Sequence, residues 1–269
     1  MKAYQKYNHV FKLGFQSALE YRMDFLFSLA AAFFPIMIQY YIWSAVYGKS
    51  DSSQFFGYSY KEMILYTIIA AVVTRIVMTN VDHEMATDIK DGNLNKYLVQ
   101  PLHYFSFRIF NLFGQKLFFY SVMIVVIFFV LIFFTLYYGT PLQFQRISLF
   151  FITIFLAFLL NFMISYTISA IAFWLSEISF FFEMTGLLVI IISGGMFPID
   201  VFGPTMNAIL TYLPFKFTIY FPTNVINGKL DMGEILQGIG WQCFWIVVMY
   251  LVSRVVWNRG MKRYLGLGG

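Results

Sequence analysis

Charge is scarce in this chain. Asp, Glu, Lys and Arg make up 12% of its 269 residues, against roughly 25% in soluble domains. Apolar residues reach 60%, aromatics 22%, and mean hydropathy is +0.71. A soluble core of this length cannot bury so much apolar surface, but lipid solvates it. The chain therefore reads as all-α, a polytopic membrane protein forming a single domain over residues 1–269. Cys243 is the only cysteine, so an internal disulfide is excluded. The first apolar run starts near Phe25 and is too long for the core of a cleavable signal. No internal repeat or low-complexity segment stands out.

Chemical motifs are equally sparse. There is no G-x-x-x-x-G-K-[ST]; Gly48-Lys49-Ser50 ends like one, but Trp43 stands where its first glycine belongs. His9, His83 and His103 are isolated, without metal-ligand spacing. No G-x-S-x-G nucleophile motif is present. No catalytic set, metal site or cofactor of the chain's own is expected. The net charge of +5 would suggest nucleic acid in a soluble protein. Here basic residues flank apolar runs, the usual signal of membrane topology, and no nucleic-acid partner is expected.

Six spans are predicted. An amphipathic helix in Met1 to Asp24 lies in the membrane interface. Spans follow at about 25–48, with Pro35 as a kink, and about 62–81, then within 117–138 and 147–176, and at about 178–196 and 239–254. A Gly139-Thr140-Pro141 turn ends the third. Residues 197–237 hold too many Pro and Gly for a span, and Pro204 to Leu213 reads as a short helix with Pro at its first position. The phenylalanines of 150–162 and Phe180 to Phe182 read mostly as lipid contacts. Basic residues fall twelve against five on the side of the termini and of the 80–116 segment. Both termini are thereby expected in the cytoplasm.

Residues 80–116 form the long polar interruption of the first half. Met85 and Ile89 lie four apart, and Gly92 follows as a helix stop. Asn93 caps a second short helix holding Leu94, Tyr97 and Leu98. Pro101 stops it, and a stripe of Leu102, Phe105, Ile109 and Leu112 leads into the third span. The pattern fits either a docking element or an amphipathic loop resting on lipid. Arg75 and Glu183 are the ionisable residues inside spans. Intramembrane charge is expensive, so the two are expected either to pair or to reach separately for the interface.

The run DIKDGNLNKYLVQPL, with the aromatic residues and Arg108 that follow, resembles the cytoplasmic segment of type-2 ABC exporter permeases. SGGMFPIDVFGP at 193–204, YLPFKFTIYFPTNVINGK at 212–229 and the ending WNRGMKRYLGLGG resemble a bacterial branch of that family. The resemblance implies a permease in the bacterial plasma membrane that works as a dimer, with the same or a homologous chain as second permease subunit. It implies a separate nucleotide-binding ATPase subunit, which carries ATP and Mg, docked on the 82–101 segment. Glu84, Asp88, Asp91, Gly92, Leu94, Leu98 and Pro101 are then the coupling residues. Gly194, Gly195, Pro198, Pro214 and Pro222 would shape the outer gate, although Gly194-Gly195 also reads as a turn leaving the membrane. Two other readings stay open: a lipid-modifying membrane enzyme, and a peptide-binding immunity protein without transport.

Overall fold

The computed structural model describes residues 3–20, 22–48, 54–79, 81–98, 103–138, 144–175 and 178–266. The expected Pro101, the 139–141 turn and the final glycines lie outside the described residues, as does the side chain of Leu98.

Helix α1, Ala3–Glu20, precedes α2, Arg22–Gly48, which continues through Pro35. A feature absent from the all-α expectation follows. β1, Gln54–Phe55, pairs antiparallel with β2, Tyr58–Ser59. The turn between them has positive φ at Phe56 (52°) and Gly57 (78°), the combination that matches strand twist in a two-residue hairpin. Ser59 then opens α3, Tyr60–Val77, with a reciprocal cap: its hydroxyl accepts from Glu62 N–H, and the Glu62 carboxylate accepts from Ser59 N–H at 2.7 Å.

Two short helices, α4 (Val81–Lys90) and α5 (Asn95–Leu98), lead to α6, Tyr104–Tyr138. The expected interfacial helix and third span are thus one continuous rod of 35 residues, about 52 Å at 1.5 Å per residue. α7, Phe144–Ser169, runs into a 3-10 turn at Ala170–Phe173. α8, Ser179–Ile192, has 14 residues, about 21 Å, so the fifth apolar run is helical for less than a full hydrocarbon thickness of about 30 Å. Past it lie a 3-10 turn at Ile199–Phe202, α9 (Gly203–Thr211), a second at Pro214–Phe217, and α10 (Tyr220–Ile226). α11, Met232–Gly266, closes the chain with another 35 residues.

The longer helices run between two ends. α2 finishes at the hairpin, where Tyr47 donates to Tyr58 O at 2.7 Å. α3 leaves the hairpin, α6 starts beside α4, and α7 starts where Arg146 donates to Leu230 O at 2.8 Å. α8 runs back along α3 and ends where Gly194 and Gly195 meet Tyr66 and Thr74, and α11 reaches the α4–α5 end, where Tyr264 donates to Asn95 Oδ1 at 3.1 Å. By length and composition, four helical stretches among the described residues can cross a membrane: Tyr60–Lys90, Tyr104–Tyr137, Phe144–Phe173 and Met232–Tyr264. α6 and α11 leave their apolar sides open, with Leu136 82% and Val247 58% exposed. Lipid is the medium that makes such surfaces stable.

α1 packs along the first part of α6. A Cβ on Gly14 would stand 2.3 Å from Asn111 O, and one on Gly114 would stand 2.1 Å from Phe11 O. Only glycine permits that backbone approach. Two apolar cores result. One surrounds α3, with Met63, Tyr66, Ile69 and Val73 fully buried among Phe150 and Leu160 of α7. The other surrounds α4, with Met85, Ile89 and Leu94 against Phe158, Phe162 and Phe182. The reading of the phenylalanines as lipid contacts is therefore corrected for Phe150, Phe158 and Phe162 of α7, and for Phe182 of α8, which is 4% exposed. The three on α7 face the interior because α7 is the helix that α3, α4 and α11 pack around, while Phe155 and Phe180 stay exposed.

Candidate functional site

The 80–116 segment folds as a bracket held by one arginine. Glu84 and Asp88 lie four apart, so they share one face of α4. Arg108 sits one turn inside α6 and reaches across. Its Nη1 lies 2.7 Å from Glu84 Oε2, and its Nη2 contacts Asp88 Oδ2. Tyr104, one turn before Arg108, donates to Asp88 Oδ2 at 2.8 Å and accepts from Arg108 Nε at 3.0 Å. Trp257 of α11 stacks on Tyr104 with centroids 5.2 Å apart, and Tyr97 meets it edge-on at 4.9 Å. The Arg108 and Asp88 side chains are 8% and 11% exposed, whereas that of Glu84 is 44% exposed. A buried charge of this kind is tolerable only because every partner is in place.

The turn between the two short helices is built on Gly92, with φ 72°. Asp91 N–H bonds Thr87 O at 2.9 Å, and Leu94 N–H reaches back to Asp88 O at 3.0 Å. Leu94 is 1% exposed and turned inward. The outward side carries His83, Glu84, Lys90, Asp91, Asn93, Asn95 and Lys96. Asp88 and Leu94 thus hold the bracket, and Asp91, with Gly92 partly open beside it, lies at its surface.

Where α3 ends, its last carbonyls are capped from two other helices. Asn161 of α7 donates to Val77 O at 3.0 Å. Lys116 of α6 donates to Met78 O at 2.8 Å and Arg75 O at 3.3 Å, placing a cation at a helix C-terminus. These caps were missed in the sequence; the lone Asn161 in an apolar run was the signal that could have found one of them. Beside them opens a cavity of about 450 Å3 between the α3–α4 junction, α7 and α8. Asp82, His83, Asn161 and Glu183 contribute its polar lining, and Phe182 and Ile190 part of its apolar wall. Asn161 Oδ1 and Thr79 Oγ1 are buried there without a hydrogen-bond partner among the described residues. Arg75 and Glu183 are both exposed, and the ion pairs found among the described residues both belong to Arg108.

Of the residues expected at an outer gate, Gly194 and Gly195 pack against α3, and the segment after Pro198 reaches the hairpin through Asp200. Gly194 has φ 83°, and a Cβ there would stand 2.6 Å from Tyr66 Oη and 2.9 Å from Tyr220 Cβ. Tyr66 donates to Gly194 O at 2.7 Å, and Tyr220 N–H to Ser193 O at 2.8 Å. Gly195 packs against Thr74 and Ile190. Pro198 leads into its 3-10 turn, Pro214 begins the next, and Pro222 occupies the first turn of α10, where a missing N–H costs no helical bond. At the centre is a residue the sequence reading passed over, Asp200. Its Oδ2 lies 3.1 Å from Tyr58 Oη and accepts from Tyr220 Oη at 2.8 Å, and its Oδ1 accepts from Asn207 at 3.0 Å. Asn224 Oδ1 lies 3.0 Å from Tyr58 Oη. Lys229 sits 3.5 Å from the centre of the Tyr58 ring and donates to Gly57 O. Burial pushes the Tyr58 phenol far above its ordinary value, helped by Tyr220 and the Asp200 carboxylate. It stays a proton donor at any physiological pH.

An all-α bundle with long lipid-solvated helices and a polar bracket at one end defines a multi-pass membrane protein. The family model for the ABC-2 family transporter protein matches residues 33–268, and the chain belongs to that family. It is a membrane component of a transporter of the ABC-2 permease type, a class that works with an ATPase subunit. No curated protein and no solved structure matches the chain.

Proposed function

We propose that this chain is the permease subunit of an ATP-driven exporter in the bacterial plasma membrane, with six spans and both termini in the cytoplasm. A second permease subunit, the same or a homologous chain, completes the membrane pathway. A separate ATPase docks on the α4–α5 bracket. The observation that carries this reading is the bracket itself. Its inner side is fixed to α6 by Arg108 and Tyr104, to α11 by Trp257 and to α7 by Phe158 and Phe162, so a push on its outer side moves three long helices together. Its outer side is a polar surface of Glu84, Asp91, Gly92, Asn93 and Lys96. Asp88 and Leu94 act in coupling as anchors, and Leu98 and Pro101 complete the element. Arg75 and Glu183, both exposed, pair across the permease dimer, and the cavity beside Glu183 receives substrate. Gly194, Gly195 and the prolines hold the outer gate shut from within one chain.

The test is co-purification in mild detergent followed by ATPase assay of the complex. A nucleotide-binding subunit in stoichiometric amount is expected. The double variant D91K/K96E should keep the melting temperature of the permease and lose most stimulation of the ATPase. Full stimulation by that variant would remove the bracket as the docking site.

A further inference from the structure

A second cavity, of about 410 Å3, lies between the start of α6, the inner half of α7 and the last turns of α11. Its polar lining is of opposite character to that beside Glu183. Arg254, His103, Ser106 and Asn258 bring hydrogen-bond donors, and among the described residues no carboxylate lines it. Arg254 donates to Tyr250 Oη at 3.2 Å, one turn back on its own helix. It joins no ion pair among the described residues. Tyr166 also lines the cavity. It is 3% exposed. A phenol and a guanidinium outside any ion pair among the described residues line the same wall, and both can donate to an anion with several acceptor oxygens.

The depth of the cavity says which anion. Upstream of Arg254, α11 exposes Phe244, Val247 and Leu251, the surface that acyl chains cover. Downstream it exposes Arg259, Lys262 and Arg263, the signature of the headgroup layer. Arg254 sits at the boundary, where a lipid phosphate lies and where juxtamembrane cations recognise anionic headgroups. Phe105, Tyr250 and Trp257 give the cavity aromatic walls of the kind enriched at that depth.

We propose that this cavity binds the phosphate of an anionic phospholipid, with Arg254 as the cation and Tyr166, Ser106 and Asn258 as neutral donors. The inference does not depend on an ATPase or on export. It does touch the bracket: Tyr104, which holds Asp88, forms part of the same wall. A headgroup seated there lies against the back of the Arg108 contacts.

Native mass spectrometry of the delipidated full chain in mild detergent tests it. Phosphatidylglycerol, phosphatidylcholine and inorganic phosphate are titrated separately and in competition. Wild type should retain one phosphatidylglycerol and bind phosphatidylcholine about fivefold more weakly, the factor expected for one basic residue near the surface. R254Q should bring phosphatidylglycerol down to the phosphatidylcholine level. K262Q, on the same helix outside the cavity, should leave it unchanged. S106A/N258A tests the site without altering charge and should also weaken binding. Equal binding of the two lipids by wild type, or unchanged binding in both R254Q and S106A/N258A, overturns the proposal. Displacement of the lipid by inorganic phosphate overturns its assignment to the bilayer and gives the cavity to a soluble phosphate.

Discussion

Two polar clusters, one at the α4–α5 bracket and one at the hairpin, have opposite designs. At the α4–α5 end a buried cation, Arg108, gathers two carboxylates and a phenol from within about one helical turn on each side. At the hairpin end a carboxylate, Asp200, gathers two phenols and an amide drawn from residues 58, 207 and 220. The first cluster joins two neighbouring helices. The second stitches the hairpin, α9 and α10 into one cap. Ion pairs in low dielectric are strong while complete and costly once one partner leaves. Neutral donors around one carboxylate lose strength in smaller steps. The contrast suits a device in which the bracket moves as a unit and the cap stays closed by many separable contacts.

The largest effect should come from breaking the arginine cluster. R108A leaves the Asp88 carboxylate buried with only the Tyr104 hydroxyl, and a loss of about 3–5 kcal/mol is expected for such a group. D88A/R108A should recover part of it, since no unpaired charge is left buried and the Glu84 carboxylate is 44% exposed. Thermal unfolding of the purified variants in detergent checks both, and simple additivity would show that the two groups do not act together.

At the other end the sharpest probe is steric. G194A puts a methyl group into Tyr66 Oη and Tyr220 Cβ while keeping a φ of 83°. About 1–3 kcal/mol of strain and overpacking is expected. Y66F removes the clashing oxygen and its bond to Gly194 O together. It should destabilise wild type yet cost less, or nothing, in the G194A background. Equal cost of Y66F in both backgrounds would show that Tyr66 does not limit the space at Gly194.

Part of the fold could be read before the structure, and the unread part, which includes both clusters, has a physical cause. The stop at Gly92 and the turn at Gly194-Gly195 are local signals, set by backbone conformation within a few residues. Six apolar runs follow from composition. The inward face of α7 does not. In a helix solvated by lipid on one side and protein on the other, both faces are apolar, and the period that marks a core in soluble proteins is erased. Phe158 and Phe155 look alike in sequence, and only packing makes one 1% and the other 53% exposed. The Arg108–Asp88 contact spans 20 residues and depends on how α6 leaves the bracket. Asp200 stands in a run read for its prolines, and its partner Tyr58 lies 142 residues away. Asn161, and Gln242, which donates to Thr153 O and Phe217 O at 3.0 and 2.9 Å, were single polar residues in apolar runs, legible as unusual but not as caps.

The smallest expected effect separates the two carboxylates of α4. Glu84 contacts the same guanidinium as Asp88 at 2.7 Å, but its side chain is 44% exposed. Water screens the pair, and E84A should cost under about 1 kcal/mol, several-fold less than R108A. Its consequence should lie in coupling instead, because Glu84 belongs to the outward side of the bracket and Asp88 to the inward side. In the assembled transporter E84A should lower ATPase stimulation with the melting temperature almost unchanged. D88N should lower the melting temperature first, since an amide keeps the size of the carboxylate but not its charge beside Arg108. If the two variants lose stability and stimulation in the same proportion, the division of the bracket into a holding side and a docking side fails, and the whole segment acts as one structural element.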